Sequence, residues 1–111
     1  MNAEANEYDL RQVVLMEEQL NQFEDGKITL SHIISGLKSL QNCLTTTSAD
    51  WRRDFIGEWW NLEQIYAVAL DRKRTELSSD ERAVINQAIV NLRALVIREK
   101  QRLESESDTP S

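Results

Sequence analysis

With 111 residues, 41% of them hydrophobic and 29% charged, the chain has the size and composition of one soluble domain around a single core. It lacks the length for an elaborate active-site cleft as well. A formal net charge of −6 argues against the clustered Lys and Arg that phosphate-backbone binding needs, so nucleic acid is not an expected partner. No apolar run approaches a membrane span, no secretory-leader pattern opens the chain, and Cys43 has no second cysteine to pair with. The expected compartment is the cytoplasm, with no membrane contact.

Apolar residues recur at the helical period nearly throughout, and no strand-like alternation competes. The first helix is expected over residues 7–23, with Val13, Met16, Leu20 and Phe23 spaced by threes and fours and Leu10 extending the stripe. Asp25-Gly26-Lys27 supplies its stop, because glycine tolerates the left-handed conformation that follows many C-caps. Residues 1–27 hold seven acids and two bases, a local balance of −5. Two uses are open for that charge: keeping a small protein soluble, or meeting a cationic protein such as a nucleic-acid-cleaving enzyme.

Thr29 is a suitable N-cap for a second helix over 30–44, whose apolar face is Leu30, Ile33, Ile34, Leu37, Leu40 and Leu44. Gly36 costs that helix some propensity, and close approach by a neighbouring helix is its simplest use. The run Thr45-Thr46-Thr47-Ser48 breaks the pattern and offers several hydroxyl caps. A third helix is expected over 49–72, ending beside Arg72, Lys73 and Arg74, cations that suit a helix C-terminus. Ser78-x-x-Glu81 is a capping box for the fourth helix, with a stripe of Ile85, Ala88, Ile89, Leu92, Leu95 and Val96 and then Leu103. The expected fold is all-α, an antiparallel four-helix bundle over residues 1–103 with a disordered C-terminal tail over 104–111.

The third helix carries the most information. Residues 51–70 contain all three tryptophans, Phe55 and Tyr66, and aromatic side chains dominate the energetics of cores and interfaces. At about 100° per residue, Trp51, Phe55, Trp59, Leu62, Tyr66 and Ala69 fall in one arc, while Ile56, Trp60 and Ala67 lie about 100° further round. Trp60 is therefore either sandwiched by a second neighbour or presented at the surface. Glu63 falls between the two arcs. One expectation gives it a structural partner such as Arg93; the other places it with Trp60 in a groove that receives a cationic side chain.

Catalytic and metal patterns are missing. His32 is the only histidine, and its neighbours Ser31 and Ile33 form no nucleophile–base arrangement. The paired Glu-x-x-His motifs of di-iron bundles are absent, Cys43 with His32 falls short of a zinc ligand set, and Gly26, Gly36 and Gly57 form no phosphate-cradling loop. No enzymatic activity, cofactor or metal is expected.

The segment Phe23-Glu24-Asp25-Gly26-Lys27-Ile28-Thr29-Leu30, followed by Trp51, Phe55, Trp59, Leu62-Glu63 and Tyr66, resembles small all-helical immunity proteins of contact-dependent growth-inhibition and related polymorphic-toxin systems. The likeness extends over about residues 10–100 and implies a cytoplasmic inhibitor that binds the C-terminal domain of a cognate toxin. Such toxins are frequently nucleases, RNA-cleaving ones among them, and an acidic inhibitor would occupy the place of the phosphate backbone. On that resemblance, Glu17, Glu18, Glu24 and Asp25 would steer association, with Asp54, Glu58 and Trp60 as further contacts and Glu63 beside Trp60. The competing expectation is a helical adaptor or regulatory subunit that binds another protein, with self-association into a homodimer as one form.

Overall fold

The structure, a computed structural model, describes residues 3–73 and 76–107. Four helices follow in order, α1 (Ala3–Glu24), α2 (Leu30–Cys43), α3 (Ala49–Asp71) and α4 (Ser79–Ser107). Their ends obey local chemistry. After α1, Gly26 takes φ +74°, the Gly26 N–H donates to the Phe23 carbonyl and the Lys27 N–H to the Gln22 carbonyl. This pair of bonds is a Schellman C-cap. The Thr29 hydroxyl accepts from the His32 N–H at 3.1 Å, and the Ser48 hydroxyl from the Trp51 N–H at 3.1 Å. At α4 the capping box closes in both directions: the Ser78 N–H donates to Glu81 (2.8 Å) and the Glu81 N–H to the Ser78 hydroxyl (3.1 Å).

The helices alternate in direction. Asn6, Glu17 and Asn21 of α1 bond Glu106, Lys100 and Arg93 of α4, so residue numbers fall on one helix as they rise on the other. Trp51 and Glu58 of α3 likewise meet Leu95 and Asn91 of α4. Helix α1 packs on α2 and α4, α3 packs on the same two, and α1 and α3 sit on opposite corners. The core is the shared interior of these four faces, centred on Met16, Leu20, Ile33, Leu37, Phe55, Leu62 and Leu92, all fully buried. Trp51 stacks on Phe55 with centroids 5.0 Å apart, and its indole N–H donates to the Leu95 carbonyl at 2.9 Å.

Helix α2 has 14 residues, against 29 in α4. At Gly36 the side-chain amide of Gln19 from α1 occupies the space that a Cβ would take. Helix α4 runs past Leu103 to Ser107, with Glu106 bonded to Arg102 and Asn6. The first four residues of the expected tail are thus helical, and the other four lie outside the described residues. Arg72 and Lys73 do follow α3, with Arg72 as its C-cap; Arg74 lies outside the described residues.

The loop from Leu44 to Ser48 is held by charges that the apolar stripes conceal. Asp9, fully buried, accepts from the N–H and hydroxyl of Thr45 and from the N–H (2.6 Å) and hydroxyl (2.7 Å) of Thr46. Burial pushes its carboxyl upward, but the Thr46 and Thr45 bonds outweigh this and hold it below the ordinary aspartate value. Glu99, also buried, accepts from the Thr47 hydroxyl at 2.7 Å and pairs with Arg102. Arg102 in turn donates to the Thr46 hydroxyl. From α3, Arg52 donates to the carbonyls of Gln41, Leu44 and Thr47. The last carbonyls of α2 thereby gain donors and a cation at the negative end of its dipole.

Candidate protein-interaction surface

Trp60 is 50% exposed, which resolves the two arcs of α3. The half-buried Trp59 faces α2, where its indole N–H donates to the Ile34 carbonyl at 2.8 Å and Lys38 lies 5.4 Å over its ring. Trp60 tilts against Trp59 at 6.3 Å between centroids and leaves its other face to solvent. Helix α2 begins at Leu30, one turn beyond Ile34, so by about the level of Glu63 it no longer flanks α3. Ile56 and Glu63 on that strip are half-buried, and Ala67 is exposed.

Between α3 and α4 lies an open groove of about 590 Å³. Asp54 and Glu58 stand on its α3 wall, Asn91 and Ala94 on its α4 wall, with Arg53 and Arg98 among its lining. Gly57 also lines it, and no atom lies within 4 Å of where a Cβ would stand. Trp60 lies one turn beyond Gly57 but turns away from the groove, toward the flank of α3 that Trp59 presents to α2. Asn91 donates to Glu58 at 3.1 Å and orients that carboxylate. Asp54 is exposed.

The acids expected on α1 divide by direction. Glu17 and Glu24 turn toward α4, where Lys100 pairs with Glu17 at 3.0 Å and Arg93 with Glu24 at 2.9 Å. The hydrogen bond and charge of Glu17 raise the Lys100 pKa above its usual value. Both acids therefore already serve as helix–helix clips, Glu24 while remaining exposed, and Glu18 and Asp25 are exposed without such a pairing among the described residues. Arg93, named above as a partner for Glu63, points to α1 and bonds Asn21 and Glu24 instead. Glu63 makes no hydrogen bond or ion pair among the described residues. The structure thus brings together Asp54 and Glu58 on the α4 side of α3, places Trp60 on the other flank of that helix against Trp59, and sets α3 on the corner of the bundle opposite α1, which carries Glu18.

The residues that sequence reasoning missed carry a legible signal. Asp9 continues the stripe Val13, Met16, Leu20 backward by four, and Glu99 sits between Val96 and Leu103 at steps of three and four. A carboxylate at a core position of a helix is a buried charge in search of donors. Chemically, both are spent on the Thr45–Thr47 loop. Among the described residues no group of three or more His, Cys, Asp and Glu side chains is placed to hold a metal ion. His32 and Cys43 are exposed, and no helix among the described residues is long and apolar enough to cross a membrane.

Comparison with protein-family models, with curated proteins and with solved structures returned no match.

Proposed function

We propose that this chain is an immunity-type inhibitor, a rigid helical surface that binds the C-terminal domain of a cognate bacterial toxin and covers its active site. A nuclease, and an RNA-cleaving one first, is the favoured toxin class. The observation that carries the proposal is Trp60, a large aromatic left half in water on α3, with Asp54 and Glu58 on the same helix lining the groove toward α4 beside Arg53 and Arg98. Exposed tryptophans flanked by charges that a partner can desolvate are the usual anchors of protein interfaces. A cationic active site supplies the matching Lys and Arg side chains, and its affinity for phosphate makes it a fit for carboxylates.

The scaffold suits such a role. Trp59 ties α3 to α2, Trp51 ties it to α4, and the Asp9 and Arg52 bonds hold the α2–α3 connection. A surface organised before binding loses little conformational entropy on association.

Growth rescue tests the proposal. The gene directly upstream is expected to encode a large secreted toxin, and co-expression of this chain is expected to protect cells from that toxin's C-terminal domain and not from unrelated toxins. Trp60→Ala and the pair Asp54→Lys, Glu58→Lys are expected to abolish protection while leaving helical circular dichroism unchanged. Full protection by these folded variants would rule out the α3–α4 surface, and no protection by the native chain would refute the inhibitor reading itself.

A further inference from the structure

The corner of the bundle opposite α3 carries a second unsatisfied surface. On α1, Tyr8, Val14 and Leu15 are 37%, 41% and 44% exposed. Val14 and Leu15, with Leu10 and Arg11, line an almost wholly apolar depression of about 440 Å³. At about 100° per residue, Arg11 and Glu18 lie on the outward midline of α1, with Val14 on one flank and Leu15 on the other. Among the described residues, Arg11 pairs with no carboxylate and Glu18 with no cation; Arg11 rests over the Tyr8 ring at 5.9 Å.

From this arrangement we infer that the outer face of α1 binds a second copy of the same chain, as an antiparallel α1–α1 pair about a two-fold axis. The charge pattern selects that occupant. A two-fold axis placed between Val14 and Leu15 brings Arg11 of each copy level with Glu18 of the other, giving two identical ion pairs. Val14 then meets Val14 across the axis at one flank of the interface, and Leu15 meets Leu15 across it at the other flank. An isologous interface requires this kind of self-complementarity. A purely cationic partner would meet Arg11 at the centre of the face, and a purely acidic one would meet Glu18.

The remaining acids do not oppose the pairing. Arg11 and Glu18 lie about 5 Å from the axis along the helix, while Glu4 and Asp25, which also face each other in this register, lie about 16 Å from it. At the crossing angle of about 50° usual for packed helices, the ends splay until those two acids are about 15 Å apart. That distance exceeds the Debye length of about 8 Å at physiological salt. Antiparallel alignment also opposes the two helix dipoles favourably. The proposed toxin-facing surface on α3 and α4 stays free, because α1 and α3 occupy opposite corners.

Charge-swapped variants of the full chain, followed by sedimentation velocity from micromolar to millimolar concentration, test the inference. The native chain is expected to self-associate with concentration. Arg11→Glu and Glu18→Arg are each expected to weaken the dimer about tenfold or more, a loss of about 1.4 kcal/mol or greater. Mixed together, the two single variants are expected to form a heterodimer. The acid introduced at position 11 of one copy then meets the arginine introduced at position 18 of the other, and the unaltered Arg11 and Glu18 meet each other. General charge attraction would not produce this, because each substitution moves the net charge of −6 by two and leaves both variants negative. Leu15→Asp is expected to prevent association in every combination, with circular dichroism confirming that each variant is folded. A native chain that stays monomeric throughout, or a dimer indifferent to these substitutions, would overturn the inference, and neither result bears on toxin binding at α3.

Discussion

Replacing Asp9 by alanine is expected to be among the most damaging single changes away from the apolar core. The carboxylate is inaccessible to solvent and receives four donor groups, the N–H and hydroxyl of both Thr45 and Thr46. A hydrogen bond to a charged group contributes about 1.5–3 kcal/mol net, and a buried donor left unpaired costs about 1–3 kcal/mol. These contributions do not add in full, because Thr45 is exposed and its groups can turn to water. A loss of about 3–4 kcal/mol follows, a large share of the roughly 5–15 kcal/mol that stabilises a domain. At roughly 4 °C per kcal/mol for a chain of this length, Tm falls by about 12–16 °C. Asp9→Asn keeps the volume and some acceptor capacity, so about half that loss is expected. Urea unfolding with a circular dichroism readout measures both values.

The same contact fixes the acid response. The Asp9 carboxyl is lowered on folding, so its contribution is fully present above the unfolded aspartate value near 4 and is lost as pH falls through the folded value. The native chain should therefore lose stability below about pH 4 more steeply than Asp9→Asn. A loss below about 1 kcal/mol for Asp9→Ala, or parallel acid curves for native and Asn variants, would refute the claim that this carboxylate organises the loop.

Three further expectations follow from particular contacts. Gly36→Ala places a methyl against the Gln19 side chain, so its gain in helix propensity of about 1 kcal/mol is expected to appear only in a Gln19→Ala background, read by thermal unfolding of the four variants. Ser78→Ala removes one half of the reciprocal capping box and is expected to cost about 1 kcal/mol, with Glu81→Ala costing no additional full increment in the double variant. Trp60→Ala is expected to cost about 1–2 kcal/mol, through its buried half and its contact with Trp59, whereas Trp51→Ala, which empties a core site and frees the Leu95 carbonyl, costs about 3–5 kcal/mol. Equal losses at the two tryptophans would mean that Trp60 is a packing residue.

The helix ends were legible because each rests on a few adjacent residues: Gly26 with its Schellman bonds, Thr29 as a cap, Ser78 with Glu81. The core stripe of α3 was legible for the same reason, since Trp51, Phe55 and Leu62 need only the helical period to share a face. Trp60 was not, because the period gives an azimuth without saying which neighbours reach it; the answer depended on α2 stopping at Leu30. The partners of Glu17, Glu24 and Arg93 were not legible, on similar grounds. An acid at the edge of an apolar stripe looks solvent-facing in one helix and becomes a clip when α4 passes beside it. Asp9, Glu99 and Arg52 are polar residues that the apolar stripes do not reveal, although each marks where the α2–α3 loop finds its donors and acceptors.

The most direct test of the central claim is a titration of the purified chain against the isolated C-terminal domain of the upstream-encoded toxin, with toxin activity as the readout. Stoichiometric inhibition is expected, with an association rate that slows as ionic strength rises and an inhibition that is weakened at least about tenfold by Trp60→Ala. Undiminished toxin activity in the presence of excess folded native chain would contradict the account.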